Sequence, residues 1–247
     1  MSLLVISDAP FSLAHIIYLI INLIWFILGT ILIKKYVKNQ KTLDLIIRIS
    51  GLLLLICVST MRIGETIHFM NKEPGVYHWY SILPNSFCSF ASFFLGIFSI
   101  FYKKDNIVFH FLIYIALIGG LIATVFPEYL EDDGFFSLVG ITALLHHSLS
   151  IWICIILLVN KQITPEYKKI FAFIIGFGIM LLLGAFELFV LKYPTSMNLD
   201  KPLSRAAGII SSWYFIYLGS TLLTLLFIFI LRKIYKLPNK DEIKPLE

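Results

Sequence analysis

One cysteine and one pair of histidines are the residues of this sequence best suited to covalent chemistry. Cys88 follows Pro84 by four residues, and His146 and His147 are adjacent in a later segment that is otherwise largely apolar. A cysteine thiolate and an imidazole on facing helices are the minimum for acyl transfer, in which the thiol takes up the acyl group. These residue types indicate Cys88 as a nucleophile and a histidine as its general base.

Helical spacing favours His147 over His146 as that base. His146 shares a helix face with Leu149 and Ile153, about 100° from His147. Small and polar residues at intervals of three or four share the face of His147: Gly140, Ala143, Ser150 and Cys154. A similar stripe accompanies Cys88: Ser81, Asn85, Ser92 and Ser99. We therefore expect Cys88 and His147, but not His146, to face the interior of a helix bundle.

The position of Pro84 predicts that Cys88 lies near the start of a helix. Proline is tolerated in the first turn, where its missing N–H has no partner to lose. The N–H groups that follow, together with the positive end of the helix dipole, would then favour a thiolate at Cys88. Asn85 and these N–H groups are the candidate donors to a developing oxyanion.

Ionisable residues inside apolar segments extend the candidate site. Arg62 and Glu65 lie on one helical segment and Glu187 on another, where a charge costs at least ~2.5–3.5 kcal/mol at the bilayer centre. We expect Arg62 to pair with Glu65 or Glu187, and we assign it to holding a lipid phosphate. The candidate substrate-binding residues are Arg62, Asn85, Glu65, Glu187, His146 and Tyr214.

The elements that must position these residues are membrane helices. Of the 247 residues, 59% are hydrophobic and 14% are charged, and the mean hydropathy is +0.89, which excludes a soluble globular domain. The apolar residues form blocks near 20 long, sufficient to cross a hydrocarbon core of ~30 Å. Residues 1–247 are interpreted as a single all-α transmembrane domain of seven helices, at about 11–33, 45–67, 82–102, 107–126, 135–160, 169–191 and 208–232.

The basic residues predict how these helices are oriented. Fourteen of the 20 Lys and Arg lie in the first, third and fifth loops and the C-terminal tail, and four lie on the opposite side. This asymmetry predicts an N-terminus outside and a C-terminus in the cytoplasm of a multi-pass cell-membrane protein. It also explains the formal net charge of +5, so no nucleic-acid partner is expected. The polar residues then lie in the outer half of the bilayer.

Short matches over residues 83–214 resemble a known family. They are Leu83 to Ser89, Gly119-Gly120, Pro127 to Leu130, His147 to Trp152, Met197 to Pro202 and Trp213-Tyr214. With them the chain resembles the YwaF-like bacterial membrane proteins, which are related to the transmembrane-protein-164 acyltransferases. It departs from that pattern at Glu128-Tyr129, at Ser212 and in the doubled histidine. The resemblance implies a seven-helix fold and acyl transfer between phospholipids through a cysteine.

The residues alone leave two other functions open. In a metal-dependent intramembrane lipid hydrolase, Glu65 and His68, one helical turn apart, would join His146 or His147 at a metal ion. A non-enzymatic seven-helix receptor or transporter is the second alternative. The favoured hypothesis is a lipid-directed acyltransferase that acts on a membrane phospholipid or lysophospholipid and requires no cofactor or metal ion. The acidic residues 128–133 are interpreted as a solvated loop, and the sequence does not identify a protein partner.

Overall fold

The computed structural model of the protein describes residues 11–72, 75, 78–127, 136–193, 196–200 and 212–237. In this part of the chain all regular structure is helical, as the sequence predicts. The seven α-helices are α1 (Leu13–Tyr36), α2 (Gln40–Lys72), α3 (Phe87–Ile100), α4 (Phe109–Val125), α5 (Leu138–Val159), α6 (Ile170–Phe189) and α7 (Trp213–Tyr235). Short 3₁₀ turns cover Trp79–Ile82, Tyr167–Lys169 and Ser196–Asn198.

The start of α3 differs from the prediction, because Pro84 lies before the helix and not in its first turn. A 3₁₀ turn at Trp79–Ile82 is followed by extended backbone at Leu83 (φ −56°, ψ 148°), as expected for a residue that precedes proline. Ser86 then caps the helix, and its hydroxyl accepts a hydrogen bond from the N–H of Ser89. Cys88 is therefore the second residue of α3 and lies in its first turn.

Of the seven helices in the described part of the chain, five are long and apolar enough to cross a membrane: α1, α2, α5, α6 and α7. The other two, α3 and α4, have 14 and 17 residues, or about 21 and 26 Å. Apolar side chains cover the outer surfaces of α1, α2, α6 and α7, whereas arginine, histidine and glutamate side chains are buried between helices. This distribution suits a protein surrounded by lipid, where a polar side chain is costly unless it faces the bundle.

Helix α5 lies at the centre of the bundle, in contact with α1, α2, α3 and α4. Helix α2 also packs along α3, α6 packs on α4, and α7 packs on α6 and α4. Glycines allow the backbones to approach closely, since a Cβ on Gly51 of α2 would lie 2.9 Å from the Gly96 carbonyl oxygen of α3. Because α5 has neighbours on most sides, all its faces except a narrow one are buried.

A polar network joins the two loops at the end of the bundle farthest from Cys88. Asp105 accepts hydrogen bonds from Lys169 Nζ (2.7 Å) and the Thr164 N–H (2.9 Å), and it contacts His110 Nε2 at 3.2 Å. Burial raises the pKa of Asp105, but these hydrogen bonds and the Lys169 charge outweigh it, so the pKa lies below its ordinary value. The network fixes the C-terminal ends of α3 and α5 at one end of the bundle.

Candidate active site

The Cys88 side chain lies in contact with α4. A Cβ on Gly119 would lie 3.1 Å from Cys88 Sγ, which is closer than most real contacts of a Cβ. Glycine at this position therefore lets the thiol occupy its place without a shift of either helix or side chain. The hydrogen bonds in the first turn of α3 run between Ser86 and Ser89. The thiol is half-buried and forms no disulfide, like that of Cys57, whereas the free thiol of Cys154 is fully buried.

Two side-chain contacts between α3 and α5 show that these helices run in the same direction. Ser92 Oγ lies 2.8 Å from Ser150 Oγ, and near the ends of the two helices the Tyr102 hydroxyl donates to Gln162 Oε1 over 2.8 Å. Cys88 lies one turn before Ser92, and His147 lies one turn before Ser150. The two candidate catalytic residues therefore lie at the same level on adjacent, parallel helices.

Two adjacent glycines on α4 give independent evidence that Cys88 and His147 lie at the same level of the bundle. Gly119 faces the thiol, while a Cβ on Gly120 would lie 3.0 Å from Ile151 Cγ1 and 3.6 Å from the His147 carbonyl oxygen. The step along the helix between the two glycines is only about 1.5 Å. One turn of α4 thus contacts the Cys88 side chain and the turn of α5 that carries His147.

The expectation that His146 points away from the interior was wrong. The rings of His146 and His147 lie with their centroids 3.9 Å apart and their planes tilted by 38°, and the two residues are 1% and 4% exposed. His146 Nδ1 lies 3.3 Å from the Thr142 carbonyl oxygen. Helical spacing assumes that one face of α5 meets lipid, but the neighbours of α5 bury the face of His146 as well.

Arg62 forms the ion pair expected from the sequence. Its guanidinium donates to the Glu65 carboxylate through Nη1 and to the Ser81 carbonyl oxygen through Nη2. Arg62 is 4% exposed, and its charge also acts on His146 and Glu187. The arginine thus joins α2 to the turn that precedes α3, and its charge reaches one residue each of α5 and α6.

The segment after α6 closes this polar region. Tyr193 accepts a hydrogen bond from Asn85 Nδ2 over 2.8 Å, and the Asn85 carbonyl oxygen accepts from the Met197 N–H over 2.6 Å. Ser196 donates to the Glu187 carboxylate. Burial raises the pKa of Tyr193, and the charge and a hydrogen bond of Arg62 lower it in part. Asn85 and Glu187 therefore meet around one loop close to Arg62.

Several polar atoms in this region have no hydrogen-bond partner among the described residues. We call their four residues the Arg62 cluster: Arg62 (Nε), Thr66 (Oγ1), His146 (Nε2) and Glu187 (Oε1). Each is at most 4% exposed. A buried polar group without a partner costs about 1–3 kcal/mol, so such groups normally bind water or a ligand. The cluster combines donors and acceptors that can bind a polar, charged group.

The whole of this arrangement falls inside a match to a known family. The sequence profile of the TMEM164 family matches residues 10–235, which include both candidate catalytic residues and the Arg62 cluster. The chain belongs to the TMEM164 family. No curated protein and no solved structure matches it.

Two residues considered from the sequence lie apart from the site of this TMEM164-family chain. Tyr214 is 42% exposed, and its ring packs against Trp213 and Phe215. His68 is exposed and packs against Phe69, while its proposed metal-binding neighbour Glu65 pairs with Arg62. Within the described ranges, no three His, Cys, Asp or Glu side chains are grouped to hold a metal ion.

The structure adds residues that pattern analysis did not select. Tyr193 and Ser196 follow α6, Ser196 at the start of a short 3₁₀ turn, where no α-helical period indicates which side chains turn inward. Ser81 takes part through its carbonyl oxygen, which any residue type would supply. The only signal in the sequence was the family resemblance beginning at Met197. The acidic residues 128–133 lie outside the described ranges.

Proposed function

We propose that this protein is a lipid-directed acyltransferase with Cys88 as the nucleophile and His147 as its general base. The observation that carries the proposal is that Cys88 and His147 lie at one level on parallel helices, one turn from the Ser92–Ser150 contact. A nucleophile and a base on adjacent rigid helices are the arrangement that covalent acyl transfer requires.

The proposed reaction has two half-reactions. His147 takes the proton of the Cys88 thiol, and the thiolate attacks the ester carbonyl carbon of a phospholipid. The C–S bond forms, the ester C–O bond breaks, and the departing lysophospholipid oxygen takes the proton from the imidazolium. In the second half, His147 takes the proton of an acceptor lysophospholipid hydroxyl, whose oxygen attacks the thioester. The new ester C–O bond forms, the C–S bond breaks, and the released thiolate takes the proton back from the imidazolium.

The start of α3 supplies stabilisation for the oxyanion formed in each half-reaction. Helix geometry leaves the N–H groups of Phe87 and Cys88 without partners inside the helix. Donors of this kind, fixed before the reaction, typically contribute a factor of about 10²–10³ to kcat. The Asn85 amide, considered from the sequence as a further donor, already donates to Tyr193 and also orders the neighbouring loop.

The Arg62 cluster is proposed to hold the lipid head group. The partnerless Arg62 Nε can donate to a phosphate oxygen, and Thr66 Oγ1 can do the same. His146 Nδ1–H faces the Thr142 carbonyl oxygen, so its partnerless Nε2 is an acceptor for a head-group hydroxyl or amine. Arg62 is already paired with Glu65, so a phosphate that binds there meets an arginine held in position. The acyl ester would then lie between this cluster and Cys88.

Trapping of the acyl intermediate tests the proposal. Purified protein in lipid bilayers is incubated with phospholipid radiolabelled in its acyl chain, and hydroxylamine-sensitive label on the protein is measured. We expect label on the wild type, none on Cys88→Ala, and loss of at least 100-fold for His147→Ala. Cys57→Ala, which removes another half-buried thiol, is the control and should retain the label.

Two outcomes would end the thioester mechanism. One is label that persists in Cys88→Ala. The other is lipid turnover by the wild type without any label. Turnover that survives Cys88→Ala and is lost with chelator would favour the metal-dependent hydrolase, and ligand binding without turnover would favour a receptor or transporter.

A further inference from the structure

An apolar groove lies between α3, α4 and α6, separate from the Arg62 cluster. It has a volume of about 490 Å³, and all thirteen residues that line it are apolar or glycine. Phe90 and Phe98 line it from α3, Leu112 from α4, and Ala172, Ile175 and Leu183 from α6.

The groove opens towards the surroundings of the bundle. Phe171, Ile175 and Ile179 on its α6 side are each between 51% and 56% exposed. In a membrane protein this surface faces lipid, so a hydrocarbon chain can enter from the side without crossing water.

The lining and the surroundings of the groove indicate its occupant. From Phe171 to Leu183 it follows α6 for about 18 Å. Its lining residues offer no polar side chain to a helix of a partner protein or of a second copy, and its α6 side is exposed to the lipid around the bundle. An elongated, wholly apolar groove that faces lipid suits an extended hydrocarbon chain.

The groove also leads towards the thiol. Leu112 lies two turns before Gly119 on the same face of α4, about 10 Å along the helix, and Gly119 contacts Cys88 Sγ. On α3 the lining begins at Phe90, about 3 Å along the helix from Cys88 but about 200° around it, so the groove approaches the thiol along α4. We propose that this groove binds the acyl chain of a membrane phospholipid, with the carbonyl end towards Cys88 and the methyl end towards Ile107. The placement of the carbonyl end rests on the proposed function, whereas occupancy of the groove does not.

In this proposal the free energy of binding of the acyl chain comes mainly from its close packing against the groove. A chain that moves from surrounding lipid into the groove exchanges one apolar environment for another, so the hydrophobic effect contributes little. Close packing against aromatic rings depends on the length and form of the chain. The groove should therefore select among acyl chains, while the polar cluster provides affinity for the head group.

Photo-crosslinking in bilayer nanodiscs tests occupancy directly. The probe is a phosphatidylcholine with a diazirine at the end of one acyl chain, and its crosslinks are mapped by mass spectrometry. We expect crosslinks at Phe98 and Ile175 to exceed those at Ile174 at least fivefold. Ile174 is also 42% exposed on α6 but does not line the groove, so it reports ordinary lipid contact. Equal crosslinking at Ile174 and Ile175, or crosslinks between two protein chains across the groove, would overturn the proposal.

A matched pair of variants supplies the second measurement. Ala172→Phe places a ring in the groove, whereas Gly178→Phe places one on the same helix where a Cβ meets nothing within 4 Å. We expect groove crosslinks to fall at least fivefold in Ala172→Phe and to remain in Gly178→Phe. Unchanged crosslinking in a folded Ala172→Phe protein would contradict the proposal.

The test separates this inference from the proposed function. Cys88→Ala should retain the groove crosslinks, because occupancy does not require the thiol. Crosslinks without any acyl label on the wild type would end the thioester mechanism and leave the groove as a lipid site. Acyl label without groove crosslinks would support the thioester mechanism and overturn the groove as the acyl-chain site.

Discussion

The contact between Gly119 and Cys88 provides the sharpest test of where the thiol must lie. In Gly119→Ala the new Cβ would be 3.1 Å from Cys88 Sγ, and relief of this contact requires a shift of a few tenths of an ångström. Misplacement of a reacting group by 1 Å can cost about 100-fold in rate. We therefore expect the rate of thioester formation to fall about 3- to 10-fold in Gly119→Ala.

The same substitution should change stability little. Replacing glycine by alanine inside a helix stabilises it by roughly 0.5–1 kcal/mol, and overpacking costs about 1–3 kcal/mol when a core cannot adjust. The half-buried thiol can move, so the two effects should nearly cancel. Gly178→Ala is the control, because its Cβ would meet nothing within 4 Å and it should keep the wild-type rate.

The assay measures the initial rate of hydroxylamine-sensitive acyl labelling, with thermal unfolding in detergent recorded in parallel. Both variants should unfold within a few degrees of the wild type, so that a rate difference reports the position of the thiol. If Gly119→Ala labels as fast as Gly178→Ala, the space around Cys88 Sγ does not control the reaction and the reasoning fails.

Three further predictions follow from the buried charges and the loops. Glu187→Gln keeps an acceptor for the Ser196 hydroxyl but removes a charge that acts on Arg62, so the unfolding temperature should fall by about 2–4 °C. An equal or higher temperature would show that the Glu187 charge does not stabilise the region around Arg62. Because the pKa of Asp105 is lowered, its stabilising effect should be complete above about pH 4 and lost as the pH falls below that value. Acid should therefore destabilise the wild type more than Asp105→Asn. Parallel profiles of stability against pH for the two proteins would contradict this. For orientation, a membrane-impermeant thiol reagent added outside should label a cysteine at position 132 but not one at position 106, and the reverse pattern would invert the predicted topology.

Much of the architecture could be predicted from residue type and order. The length and apolarity of each segment decide whether it can form a membrane helix, so seven helices were predicted with boundaries within a few residues for most of them. Helix α2 is longer than predicted, at 40–72 against 45–67, because its polar ends continue the helix beyond the apolar block that marked it. The pairing of Arg62 with Glu65 was predictable because the two residues lie one turn apart on one helix.

The tertiary structure alone decided which faces of the helices meet. Hydropathy and helical period describe one segment at a time, whereas the burial of His146 depends on the helices that surround α5. The level of Cys88 relative to His147 depends on where α3 and α5 are joined, and the sequence does not mark Ser92 and Ser150 as partners. Tyr193 and Ser196 reach the polar region from the residues after α6, where no α-helical period indicates which side chains turn inward. A contact between residues far apart in the chain is a property of how helices pack, and so the groove and the Arg62 cluster emerge only when the bundle is assembled.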